Sequence, residues 1–115
     1  MSILKLQDGY PDLIGRRFAF CAPGYTGPVS YPNTGTTIGD PLSLPALNNY
    51  IDSCSGHITT DGTYIVFCQP LGIGPRSKWV ARWFAFTSSG VGAEATNGTN
   101  LSSKTTILSG YGGKY

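Results

Sequence analysis

A chain of 115 residues fits one domain and can bury roughly two thirds of the surface it exposes when unfolded, enough for a core without staples. Charged residues make up only 12% of it, about half the usual share of about a quarter. Eight Lys and Arg against six Asp and Glu leave no footprint for wholesale phosphate binding, so nucleic acid is not an expected partner.

Residues 1–15 read as an extended N-terminal arm. A short alternating piece, Ile3 to Leu6, is followed by "QDGYPDLIG", in which Gly9 and Pro11 break any regular element. The opening "MSILKLQDGY" has an apolar run of two residues before Lys5, far short of a signal peptide's apolar region. No stretch reaches a membrane-spanning length, so synthesis in a cytoplasm with no membrane partner is expected.

Arg16 to Cys21 alternates at period two and predicts a strand. From Ala22 to Asp40 the chain is dense in Gly and Pro, which predicts a long ordered loop or an edge strand. "DPLSLPALNNYIDSCSGH" predicts the one helix: Ser43 can cap it, Leu47, Tyr50, Ile51 and Cys54 share a face, and Gly56 can end it. Asp61-Gly62 between β-branched residues predicts a hairpin. Its second arm, Thr63 to Gln69, sets Tyr64, Val66 and Cys68 on one face and Ile65 and Phe67 on the other, which requires burial on both sides or a partner. Lys78 to Thr87 predicts the longest strand, Ser88 to Ser103 a loop, and Lys104 to Leu108 a last strand. "SGYGGKY", residues 109–115, reads as a flexible tail. The sum is a single mainly β domain over residues 16–108, α+β by count: a small β-sandwich or a partly open barrel with one short helix.

Two stretches, "RRFAFCAPG" from Arg16 and "RWFAFTSSG" from Arg82, share the pattern Arg-x-Phe-Ala-Phe-x-x-x-Gly. The helix and hairpin between them have no counterpart after Gly90, so they are not a duplication. They echo the basic residue and alternating aromatics of an RNA-binding sheet but lack its Gly-Phe spacing. Two core strands, each with a Phe pair at the centre of the core and Arg at the rim, are expected.

The remaining chemistry is sparse. His57 has Ser55 and Asp52 nearby, but no Gly-x-Ser-x-Gly elbow accompanies them, and no enzymatic activity is expected. Cys54-Ser-Gly-His57 has the two-residue gap of half a zinc site, which Cys21 and Cys68 complete by count. Those two thiols stand singly on strands, so reduced cysteines used as small apolar residues, with no metal and no cofactor, are the expectation. Interface candidates are Ile3, Leu4 and Leu6 of the arm, Tyr64 and Val66, Trp79 and Trp83, and the tail residues Tyr111 and Tyr115.

A surface covered by Ser, Thr, Asn, Gly and Tyr suits lasting contact with another protein. The whole composition, from "MSILKLQDGYPDLIG" to "SGYGGKY", resembles that of the small β-rich virion proteins of tailed bacteriophages, such as capsid decoration (cement) proteins. That resemblance implies a non-enzymatic structural role in the virion. The protein would dock on the major capsid protein or another virion protein, commonly as a homotrimer, and brace the shell. A tail component, or a module that stacks carbohydrate or single-stranded nucleic acid on its aromatics, is the alternative.

Overall fold

The computed structural model describes residues 2–7, 12–14, 17–45, 51–71 and 78–113. Among them are nine strands: β1 (Ser2–Ile3), β2 (Asp12–Ile14), β3 (Arg17–Thr26), β4 (Asp40–Ser43), β5 (Ile51–Ser55), β6 (Tyr64–Pro70), β7 (Trp79–Thr87), β8 (Gly90–Glu94) and β9 (Thr105–Gly112). They form two sheets. The first runs β1-β4-β7-β6, with β8 sharing the β4 edge of β7; the second runs β2-β3-β9-β5. The protein is therefore mainly β, a small sandwich as its composition and alternation predict.

Both margins of the sandwich are laced. After β1 the chain leaves the first sheet, where the Leu4 N–H donates to the Ser43 carbonyl, and reaches the second, where the Gln7 N–H donates to the Cys21 carbonyl. At the opposite margin β5 runs on to β6: the Val66 N–H donates to the His57 carbonyl at 3.1 Å, and Ile58 bridges to Ile65. Each crossing covers an edge that would otherwise expose unpaired backbone groups. The second crossing requires Gly56, where an added Cβ would lie 2.3 Å from the Val66 carbonyl oxygen.

The core lies between the sheets. Phe20, Ala22, Cys54 and Leu108 point inward from the second sheet, and Leu42, Val66, Ala81 and Trp83 from the first; Tyr25, Tyr31 and Leu101 fill the ends. The Asp61-Gly62 hairpin forms as its sequence predicts, with Gly62 at φ +74° and the Thr59 N–H bonded to the Tyr64 carbonyl. Asp61 accepts from Thr59, from Thr63 and, at 2.6 Å, from Lys104 Nζ. Lys104, foremost among these donors, holds the Asp61 carboxyl well below its ordinary range.

Several expectations are corrected. Ile51 to Ser55, the second half of the expected helix, is strand β5; residues 46–50, with Leu47 and Tyr50, lie outside the described residues. A register irregularity between Ile51 and Ser53 explains the error. One extra residue in the strand lets Ile51 and Cys54 both face the core, and that spacing of three imitates a helical face. Ser43 is the last residue of strand β4. The expected loop after Ser88 contains β8, and the expected tail is strand as far as Gly112. The N-terminal segment is no free arm at its described positions, since Ser2–Ile3 pairs in parallel with β4 and Asp12–Ile14 with β3.

The twin stretches are built in opposite registers. In β3, Phe20 is fully buried and Phe18 packs against the core. In β7 it is Trp83 that is fully buried, so Phe84 and Phe86 lie on the other face. The expected second Phe pair in the core is therefore wrong, because a larger ring on the adjacent position takes its place. Gly56→Ala should test the lacing: we expect a loss of about 1–3 kcal/mol in urea unfolding, with backbone forced off Val66. Unchanged stability would show that the margins are not held as described.

Candidate docking face

Turning Trp83 inward dictates what the first sheet shows to solvent. Arg82, Phe84 and Phe86 project outward from β7. Across the ladder they meet Phe67 and Ile65 of β6 and Glu94 and Val91 of β8. The Phe67 and Phe84 rings are 5.6 Å apart and nearly perpendicular, at 74°, an edge-to-face pair. The Arg82 guanidinium lies 5.5 Å from the centre of the Phe84 ring. Phe67 is 45% exposed and Val91 53%, and Leu71, just past the end of β6, is exposed as well.

The charge on this face is neutralised in place. Arg82 Nη2 donates to Glu94 Oε1 at 2.7 Å and Nε to Oε2 at 3.1 Å, a forked pair, while Nη1 donates to Gln69 Oε1. The Arg82 hydrogen bonds hold the Glu94 carboxyl below its ordinary value, and Glu94 in turn raises the pKa of Arg82. The pair is anchored from beneath. Tyr31, fully buried, donates its hydroxyl to Glu94 at 2.6 Å and accepts the Trp83 backbone N–H at 3.1 Å. β4 pairs with β7 only as far as Ala81, and β8 takes over at Phe84. Tyr31 thus supplies the ladder partner in the gap between them. Burial, then the hydrogen bond to Glu94, pushes the Tyr31 pKa up, so the hydroxyl keeps its proton.

A second buried tyrosine secures the other end of Trp83. Its indole N–H donates to the Tyr25 hydroxyl at 3.2 Å, and Tyr25 donates to Asp40 Oδ2 at 2.6 Å. Ser2 donates to the same carboxylate oxygen. Burial first, and the neighbouring Asp40 charge second, raise the Tyr25 pKa far above its usual value. Above Tyr25 lies an open depression of about 380 Å³, lined also by Ser2, Ile3, Lys5, Gly24 and Thr26.

The sequence-predicted residues are scattered by the fold. Val66 and Trp83 are fully buried and Leu4 nearly so, and these three offer no interface; Leu6 is partly buried, packed against the core. Tyr64 is half-buried edge-on to Trp83, and Trp79 is half-buried with its indole N–H on the Ile51 carbonyl. Ile3 and Tyr111 are exposed, on the first and second sheet respectively, and Tyr115 lies outside the described residues. Of the zinc set, Cys54 and Cys68 meet. Cys21 is on the outer face of the second sheet, in the row of Ser109 and Ser55, and His57 is exposed. Among the described residues no three His, Cys, Asp or Glu side chains gather to hold a metal. Phe67, Phe84, Phe86 and Val91 are not among the sequence-predicted site residues; the doubly apolar pattern of Thr63 to Gln69 signals Phe67 alone, and nothing in the sequence signals the other three.

Two outcomes test this arrangement. Tyr31→Phe strands the buried Trp83 N–H and should cost about 1–3 kcal/mol in denaturant unfolding. Glu94 has a folded pKa below its ordinary 4.5, so its contribution to stability is present above that value and is lost as pH falls through the folded pKa. Glu94→Gln should therefore lower stability at neutral pH and flatten its decline on acidification; an unchanged acid profile would contradict the pairing. Comparison of the chain with protein-family models, curated proteins and solved structures finds no match.

Proposed function

We propose that the chain is a non-enzymatic structural protein that docks through the outer face of β6, β7 and β8 onto a larger protein assembly. The observation that carries this reading is the row of outward rings, Phe67 and Phe84 with Phe86 and Val91 beside them. Apolar side chains on both faces of β6 call for a cover on each side, and the described part of the chain leaves Phe67 exposed. Arg82, already forked onto Glu94, brings rigidity to the face and little free charge. That favours a protein surface over a phosphate backbone, since a nucleic-acid groove draws its affinity from unpaired cations.

The composition adds the kind of assembly. A surface so poor in charge resembles that of phage decoration proteins, so the proposed partner is the major capsid protein or another virion protein. The proposed place of action is the virus particle, with the chain acting there as a homotrimer. A tail site would use the same face. Edge-to-face rings beneath a guanidinium also suit base stacking, which makes single-stranded nucleic acid the reading to test against.

The double variant Phe67→Ser, Phe84→Ser should retain its fold, because neither ring belongs to the buried core. We expect it to lose about thirtyfold or more in affinity for purified shells in co-sedimentation, as removal of an interface anchor does. Wild-type binding to shells by the double variant would overturn the proposal. Loss of salt-dependent oligonucleotide binding instead, with no affinity for shells in either protein, would assign the face to nucleic acid.

A further inference from the structure

Cys54 and Cys68 come from opposite sheets. Cys54 stands in the inward row of β5, opposite Gly110 of β9 in the row of Phe20. Cys68 stands in the inward row of β6, opposite the buried Ala81 of β7. Their sulfurs meet across the sandwich at 3.2 Å, with the Cys54 thiol donating to Cys68 Sγ. The two residues are fourteen apart in sequence, and the chain between them forms the margin that laces the sheets. Cys21 faces the other way, on the outer surface of the second sheet.

We propose that Cys54 and Cys68 are a covalent modification site: a dithiol that small-molecule disulfides convert into an inter-sheet disulfide, with Cys21 taking no part. The two sulfurs are already neighbours, so closure to a bond of about 2.05 Å requires rotation of the side chains and no separation of the sheets. The pair is asymmetric. Cys68 is half-buried and reaches solvent, whereas Cys54 is buried. The hydrogen bond to Cys68, and then burial, keep the Cys54 proton in place.

Cys68 is therefore the attacking thiol. It gives its proton to solvent, and its thiolate attacks one sulfur of oxidised glutathione, forming a mixed disulfide and releasing one glutathione thiolate. Cys54 then loses its proton to that thiolate or to water and attacks the Cys68 sulfur, displacing the second glutathione thiolate. Two protein thiols are oxidised, one small disulfide is reduced to two thiols, and no other oxidant is consumed. The closed loop is short, and the bond would restrict the unfolded chain more than the folded one. This inference rests on the packing of the sheets alone and is independent of the docking reading.

The full chain, equilibrated without oxygen in graded mixtures of reduced and oxidised glutathione, provides the test. Samples in native buffer and in urea are quenched with acid, alkylated and mapped by mass spectrometry. We expect one intramolecular Cys54–Cys68 link, a mass lower by two hydrogens, and Cys21 alkylated throughout. The exchange constant should be about a hundredfold larger in native buffer than in urea, and the oxidised chain should melt about 10 °C higher. Cys21→Ser should preserve all of this, and Cys68→Ser should abolish the link. Links that involve Cys21, a native constant no larger than that in urea, or an oxidised chain that melts at or below the reduced one would each overturn the proposal.

Discussion

Trp83 decides the register of β7, and the register of β7 decides what the molecule shows to solvent. An indole buried on all sides contributes several kcal/mol of apolar burial, but only if its N–H finds a partner. Tyr25 provides that partner, and Asp40 accepts the hydrogen bond of the Tyr25 hydroxyl in turn. Tyr31 meets the backbone N–H of the same residue. One residue is thus fixed at both its indole and its backbone N–H by two tyrosines, Tyr25 at the end of β3 and Tyr31 in the Gly- and Pro-rich connection that follows. With Trp83 inside, a strand's alternation leaves Phe84 and Phe86 no place but the outer face.

The two polar chains differ in their consequences. Ser2, Tyr25, Asp40 and Trp83 are directed inward, and a buried carboxylate that accepts two hydroxyls ties β1 and β4 to the core. Tyr31, Glu94, Arg82 and Gln69 run outward, from the β7 backbone to the aromatic surface. Removing Tyr25, Asp40 or Tyr31 would leave a buried polar group without its partner, so each chain favours a single arrangement more than it adds net stability. Arg82 is consequently held against Phe84 and is not free to wander. A face so ordered before contact has less side-chain entropy to lose on docking.

Much of the fold was legible. The mainly β class, the Asp61-Gly62 hairpin and the strands around Phe20, Val66 and Trp83 follow from alternation and turn chemistry. Where reading failed, the causes are local and physical. The bulge in β5 produced a spacing of three between Ile51 and Cys54 and so imitated a helix. β8 has Gly90, Gly92 and Ala93 among its five residues, and so carries too little apolar periodicity to register as a strand. The candidate face was half legible: both faces of β6 read as apolar, but the same Phe-Ala-Phe pattern in β3 and β7 gave no means of telling which copy faces inward. Only the competition between Trp83 and Phe84 for one core position resolves that, and it depends on the opposite sheet.

Hydroxyl-radical footprinting read residue by residue, on the free chain and on the chain bound to shells, tests the central claim most directly. The account predicts that Phe67 and Val91 are oxidised readily in the free chain while Trp83 is spared despite its greater intrinsic reactivity, and that Phe67 and Val91 become protected on the shell. Rapid oxidation of Trp83 with Phe84 and Phe86 shielded in the free chain would contradict the register on which everything else stands.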